Sequence, residues 1–163
     1  MPMNRSVLMT LCAALLLAGC GRDTPETARK KLTKLQVEQS PEVLIASTKT
    51  PKTEEVAQML VVAGVDPNAR QPNGMTVLMS AVFNQQFDTA KALLAKGADV
   101  KLDAGGYNAL SLAAEKGDRE MAKLLLANGA DPALRPQGGM SALEKAQHWQ
   151  NAAMVELLQS AKK

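Results

Sequence analysis

Aromatic residues, histidine and cysteine are scarce in this sequence, and each scarcity excludes a class of protein. Aromatic side chains make up 2% of the 163 residues and occur as Phe83, Phe87, Tyr107 and Trp149. A β-sandwich usually contains more β-branched and aromatic residues than this chain, which is rich in alanine, leucine and methionine. One histidine, His148, and two cysteines, Cys12 and Cys20, are too few for a His/Cys metal cluster or a disulfide framework. We therefore expect no metal and no cofactor.

A strong charge of one sign is also lacking. Nineteen basic and 16 acidic residues give a formal charge of +3, which is too small a bias to indicate a nucleic-acid partner. Residues 20–39 carry five bases and three acids, whereas residues 40–161 carry 11 bases and 13 acids. Because the larger part is nearly neutral, it has no electrostatic footprint for DNA or RNA. The 46% of apolar residues suffices for one folded domain and excludes global disorder.

The chain starts like a secretory signal peptide. Arg5 precedes a nearly unbroken apolar run over residues 7–18, and 12 residues are too few for a membrane-spanning helix, which needs about 20. The run ends in a tetrapeptide that resembles the lipobox of bacterial lipoproteins: Leu17, Ala18, Gly19 and Cys20. The alternative is an ordinary signal peptide with an incidental cysteine.

The lipobox resemblance implies an acylated Cys20 and a cell-envelope location. Stable anchoring takes at least two acyl chains. Gly21, rather than aspartate, follows the cysteine, which in families that obey the inner-membrane retention rule implies the outer membrane, facing the periplasm. We predict a signal peptide over 1–19, a lipidated cysteine and tether over 20–40, a repeat domain over 41–161 and a basic tail over 162–163.

The polar segment after Cys20 has weak helical signals. Thr24 is a candidate N-cap, Pro25 fits the first turn, and Leu32 and Leu35 are three residues apart. We interpret this segment as a solvated linker with a nascent helix. The alternative is that its basic cluster contacts anionic lipid.

The remainder of the chain is an internal repeat. Gly-x-Asp triplets begin at Gly64, Gly97 and Gly129, at spacings of 33 and 32 residues. Further glycines recur at the same period, as Gly74, Gly106 and Gly139. The turn-rich stretches 66–74, 99–106 and 131–139 are expected to project as hairpin-like fingers.

Each unit contains the signals of a helix pair. Helix N-caps are expected at Thr76, Asn108 and Ser141, and the triplet glycines occupy expected left-handed C-cap positions. Residues at core-type spacing are Met59, Met79, Met121 and Met154.

This pattern resembles the ankyrin repeat. The resemblance is carried by residues 73–78, 93–99 and 124–131, and it implies an all-α solenoid of about four repeats over 41–161. Phe87 is expected in the core only through this resemblance, because it aligns where the family has leucine. The proline and histidine of the family's Thr-Pro-Leu-His motif are missing, so we expect lower stability than in a consensus array. Glu144, Lys145 and Gln147 in the last unit suggest the polar outer face of a terminal repeat.

No group of residues in the sequence suits catalysis. The carboxylate pairs Glu54–Glu55 and Asp99–Asp103 are explained as helix-start and turn residues, and His148 as a surface residue of the last unit. We therefore expect that the protein is not an enzyme.

The family resemblance instead implies a concave binding surface formed by finger tips and first-helix ends. The helix-end positions are Phe83, Asn84, Glu115, Lys116, His148 and Trp149. The finger positions are Arg70, Met75, Asp103, Tyr107, Arg135 and Met140. Exposed aromatic, methionine and arginine residues are enriched at interface hot spots. The alternative is that Phe83 and Trp149 only cover the edge of the core.

The function expected from these features is protein binding by a monomeric, lipid-anchored ankyrin protein that faces the periplasm. The partner would be a protein of the cell envelope. One alternative is an immunity protein that neutralises a secreted, lipase-type toxin acting in the periplasm. Another is an accessory factor of a periplasmic stress-defence enzyme.

Overall fold

A computed structural model describes residues 24–49 and 54–161. The predicted signal peptide, Cys12, Cys20 and the tail at 162–163 lie outside this part of the chain. Within it are nine helices: α1 Pro25–Lys34, α2 Pro41–Ser47, α3 Glu54–Ala63, α4 Val77–Phe83, α5 Phe87–Ala95, α6 Ala109–Lys116, α7 Arg119–Ala127, α8 Ala142–His148 and α9 Ala152–Ser160. A short antiparallel ribbon pairs β1, Asp103–Ala104, with β2, Tyr107–Asn108. The all-α expectation is confirmed.

Side-chain caps start the first helix of each pair. In α4 the backbone N–H of Met79 donates to the Thr76 hydroxyl over 3.1 Å, and Ser40 caps α2 in the same way. Asn108 and Ser141 each form a two-way capping box with the third residue of the helix that follows. Such caps satisfy backbone donors that the first turn of a helix leaves free, and the three predicted N-caps are confirmed.

Left-handed residues end the helices where the sequence predicted breaks. Gly64, Gly97 and Gly129 have φ angles of 97°, 88° and 86°, which glycine adopts without a Cβ penalty. Gln85 and Gln150, at φ 56° and 54°, turn the chain between the two helices of their units.

Four helix pairs stack side by side: α2 with α3, α4 with α5, α6 with α7, and α8 with α9. First helices pack on first helices, as α4 on α6 and α6 on α8, and second helices pack on second helices, as α3 on α5 and α7 on α9. The four methionines predicted for the core, Met59, Met79, Met121 and Met154, are all buried. Four predicted units are therefore present as four helix pairs, which we call the array.

The expected tether is partly wrong, because α1 is docked on the array. Ala28 and Leu32 are fully buried, Val37 is buried beyond them, and α1 packs along α3. The Arg29 Nε donates to the carbonyl oxygen of Ala63, the last residue of α3, over 2.9 Å. The physical reason is that six of the ten residues of α3 are buried, so this helix needs cover on the side with no preceding unit. The N-cap Thr24 and the first-turn Pro25 are confirmed.

Phe87 is also placed differently from its core expectation. Its side chain is 38% exposed at the first position of α5, and the preceding Gln86 occupies the buried position. Phe87 corresponds to Arg119 of the next unit, which is likewise exposed at the first position of its helix, so this position faces solvent and not the core.

Within the described ranges, no helix is long and apolar enough to cross a membrane. The same ranges contain no group of three or more histidine, cysteine or acidic residues placed to hold a metal ion.

Candidate functional site

The C-terminal ends of α4, α6 and α8 form the central part of the candidate site. Phe83, a residue that is 46% exposed, ends α4, and Lys116 ends α6. The Lys116 Nζ lies 4.0 Å from the centroid of the Phe83 ring, a cation–π contact that joins two successive units.

A second lysine joins the next pair of units. The Lys145 Nζ in α8 donates to Glu115 Oε2 in α6 over 2.5 Å and lies 4.0 Å from the centroid of the Tyr107 ring. Its side chain is 11% exposed, so it does not belong to the polar outer face that the sequence suggested. The reason is its position, which in earlier units is held by the buried Ser80 and Leu112 and faces the preceding helix. A carboxylate and a ring face offset the cost of burying the ammonium group.

Trp149 continues this line of contacts at the end of α8. Its backbone N–H donates to the carbonyl oxygen of Lys145 over 2.9 Å, and its side chain is 60% exposed. The ring meets that of His148 edge-on at 5.4 Å between centroids. We call the connected set the inter-repeat strip: Phe83, Tyr107, Glu115, Lys116, Lys145 and Trp149.

Several predicted contact residues on the fingers hold the fingers together. The Arg70 Nη1 donates to the carbonyl oxygens of Gly74 and Asp103 over 2.8 and 3.2 Å. The Asp103 Oδ2 accepts the backbone N–H of Gln137 over 2.7 Å. The three fingers are therefore connected in sequence by side-chain hydrogen bonds.

Arg135 and Glu144 form a forked ion pair beside the Ser141 N-cap of α8. The Arg135 Nε donates to Glu144 Oε2 over 2.9 Å, and the Nη2 donates to Oε1. The Arg135 hydrogen bond, aided by the backbone N–H of Ser141, lowers the pKa of Glu144 to about 2. Here the predicted contact residue Arg135 serves the local fold.

The structure thus divides the predicted contact residues into two groups. Those in or beside the strip are Phe83, Tyr107, Glu115, Lys116, His148 and Trp149. Those engaged in bonds within the array are Arg70, Asn84, Asp103 and Arg135, and Asn84 donates to the carbonyl oxygens of Thr48 and Ser80. Met75 is half-buried, and Met140 is exposed just before Ser141, the N-cap of α8. Lys145 was not predicted as a site residue. The signal that could have indicated it is its alignment with two uncharged residues of the earlier units, Ser80 and Leu112.

A family model described as ankyrin repeats, in three copies, matches residues 43–136, which is more than half of the chain. The chain belongs to the ankyrin-repeat family. Ankyrin repeats generally mediate protein–protein interaction. The match ends before α8 and α9, which continue the ankyrin array as its fourth helix pair.

Relatives of very different organisms share the ankyrin segment. The chain is 38% identical over 96 residues to the ankyrin repeat and KH domain-containing protein mask-1 of Caenorhabditis elegans, covering 57% of this chain and 4% of that protein. It is 35% identical over 106 residues to a putative ankyrin repeat-containing protein of Treponema pallidum, covering 64% and 36%. It is 32% identical over 114 residues to zygote-specific protein 3 of Chlamydomonas reinhardtii, covering 70% and 29%. The matched segment thus spans little more than a third of these relatives at most.

Proposed function

We propose that this ankyrin array captures a protein of the bacterial cell envelope through the inter-repeat strip, while acyl chains on Cys20 hold it at the membrane. The observation that carries the proposal is the pair of exposed aromatic residues, Phe83 and Trp149, at the C-terminal ends of α4 and α8, with the Phe83–Lys116 and Glu115–Lys145 contacts joining the helices between them. Exposed aromatic side chains on a rigid support are the residues that most often anchor a partner.

Charge at the site defines the chemistry of the partner. The carboxylates of Glu115, Asp103 and Glu144 all have partners inside the array. By contrast, Lys116 lies against the Phe83 ring and has no carboxylate partner among the described residues. The partner should therefore bring apolar side chains to the exposed rings and a carboxylate to Lys116.

The anchor rests on the order of segments at the start of the sequence. A basic residue, an apolar run and a lipobox-like tetrapeptide follow one another, and Gly21 after Cys20 favours the outer membrane, facing the periplasm. Cys20→Ala should abolish incorporation of labelled palmitate and release the protein from the membrane fraction. Labelling that persists in this variant would contradict the anchor.

The binding surface is tested with a pair of matched variants. The acylated protein is used to capture envelope proteins, and each prey is then purified and titrated. Phe83→Ala with Trp149→Ala should weaken the complex at least about 100-fold, since two hot-spot residues are lost. Phe87→Ala removes another exposed, though less exposed, aromatic residue outside the strip and should leave affinity unchanged.

Two outcomes decide between the proposals on the partner. A lipase-type toxin as prey would support an immunity role, and a stress-defence enzyme would support an accessory role. Full affinity in the Phe83/Trp149 variant, or equal loss in Phe87→Ala, would contradict the strip as the binding surface.

A further inference from the structure

We infer that α1 presents a lysine face to anionic phospholipid and so lays the ankyrin array against the bilayer surface. This inference rests on the proposed anchor at Cys20 for its setting, but the contact itself involves only residues of α1.

One face of α1 is fixed to the array. Ala28 and Leu32 are fully buried against α3, and the Arg29 Nε donates to the Ala63 carbonyl oxygen over 2.9 Å. Because the helix is held along its length, whatever its other face touches also positions the array.

The other face of α1 is basic. Lys30 and Lys34 are four residues apart, so they lie above one another on the side of the helix away from Ala28 and Leu32. Both are exposed, and the Lys30 side chain is 75% exposed. Glu26 pairs with Lys30 over 2.7 Å, an exposed pair that contributes little and is readily exchanged.

Basic charge is concentrated on this helix. Four bases and one acid give α1 a formal charge of +3, whereas residues 40–161 carry two more acids than bases. An anionic surface therefore attracts the α1 end of the chain and not the array as a whole.

The chain between Cys20 and α1 is short. Thr24 is four residues after Cys20, which in extended form spans at most about 14 Å. The Debye length at physiological salt is about 8 Å, so an acylated Cys20 would hold the start of α1 within about two Debye lengths of the membrane surface even when the connecting residues are fully extended. Because α1 is docked on the array, residues 25–37 do not form a flexible linker between the proposed anchor and the array.

The test uses the mature chain, residues 20–163, with Cys20→Ser so that no acyl chain contributes. Sedimentation is measured with phosphatidylcholine vesicles, with and without about one third phosphatidylglycerol. We expect clear binding only to the anionic vesicles, and loss of that binding as salt rises. Lys30→Gln with Lys34→Gln should reduce it about 25-fold, since each lysine near an anionic surface contributes about fivefold.

Lys91→Gln with Lys96→Gln is the matched control. It removes two exposed lysines from the region of α5 and should leave vesicle binding unchanged. Because both pairs are exposed, the thermal melt followed by circular dichroism should be the same for all variants.

Three results would overturn the inference. They are equal binding to both kinds of vesicle, equal losses in the two lysine pairs, or a Lys30/Lys34 variant that keeps vesicle binding but loses an acidic protein from envelope extracts. Failure of acylation or of partner capture would leave the vesicle measurements unchanged, so the two proposals fail separately.

Discussion

Lys145 joins two successive repeats through a largely buried ammonium group, which is costly unless that group has partners. Its ammonium group is largely withdrawn from water, and the Glu115 carboxylate and the Tyr107 ring supply the interactions that water would otherwise provide. A buried charge with good partners is tolerated, but the same charge without them is strongly destabilising. The contact is therefore better understood as fixing the position of α8 on α6 than as a large source of stability.

Glu144 provides a prediction on pH. Its pKa is lowered to about 2 from an ordinary value of 4.5, chiefly by the Arg135 hydrogen bond. A lowered carboxyl pKa stabilises the fold above the unfolded pKa, and this contribution is lost as pH falls through the folded pKa. Glu144→Gln should therefore lower stability by a constant amount above pH 4.5, and the difference should shrink between pH 4.5 and about 2.

Urea denaturation of both proteins at several pH values measures this difference. Glu156→Gln, which removes an exposed carboxylate from α9, is the control for loss of one charge. If the loss of stability in Glu144→Gln were the same at neutral and acidic pH, the Arg135–Glu144 ion pair would not be its cause.

At the residue scale, the role of a residue could be predicted from the sequence where that role depends on a contact nearby in the chain. Thr76, Asn108 and Ser141 were recognisable as caps because the bond that each makes is three residues away. The roles of Asn84 and Asp103 could not be predicted, since their partners lie about one repeat away and depend on how successive units stack.

At the scale of elements, the docking of α1 is the main departure from expectation. The apolar stripe of Ala28, Leu32 and Leu35 is short, and such a stripe is weak evidence for a helix in isolation. Packing against the otherwise uncovered side of α3 stabilises α1. No property of residues 25–34 reveals that this surface is available. Helix positions within the units were predicted well because glycine and cap residues recur at a fixed period.

Leu32→Ala tests whether α1 is an integral part of the array. Truncating a fully buried leucine should lower the free energy of unfolding by about 2–5 kcal/mol, whereas Lys34→Ala on the exposed face should change it by less than about 0.5. Both values come from urea denaturation followed by circular dichroism. Equal, small effects of the two variants would mean that α1 contributes no cover to α3.

At the scale of the whole molecule, the fingers and the helices give two independent sets of contacts between units. Helices pack through apolar side chains, and the fingers are joined by hydrogen bonds such as Arg70 to Asp103 and Asp103 to Gln137. Since each unit touches only its neighbours, both sets must hold for the strip to keep its shape. The sequence predicted the number and spacing of the units but not the bonds between fingers.

Gly139→Ala tests the contact between the second and third fingers. A Cβ at Gly139 would lie 1.9 Å from the Gly106 carbonyl oxygen, so the two fingers would have to separate. We expect a loss of about 2–3 kcal/mol, typical of overpacking. Gly138→Ala adds a methyl group in open space at a φ of 74° and should cost about 1 kcal/mol for the left-handed backbone.

Thermal and urea denaturation of the two alanine variants give these values. A Gly139→Ala protein that is as stable as Gly138→Ala would show that the fingers do not rest on one another.

The contact between Gly106 and Gly139 also constrains how such a protein can diversify. Loop tips normally accept insertions and larger side chains, and this makes them the usual place where new specificity arises. Here two of the tips lie backbone against backbone, so they are closed to variation of that kind. Descendants of this chain that acquire different partners are therefore expected to change residues at the ends of α4, α6 and α8, while the glycines of the fingers are inherited unaltered.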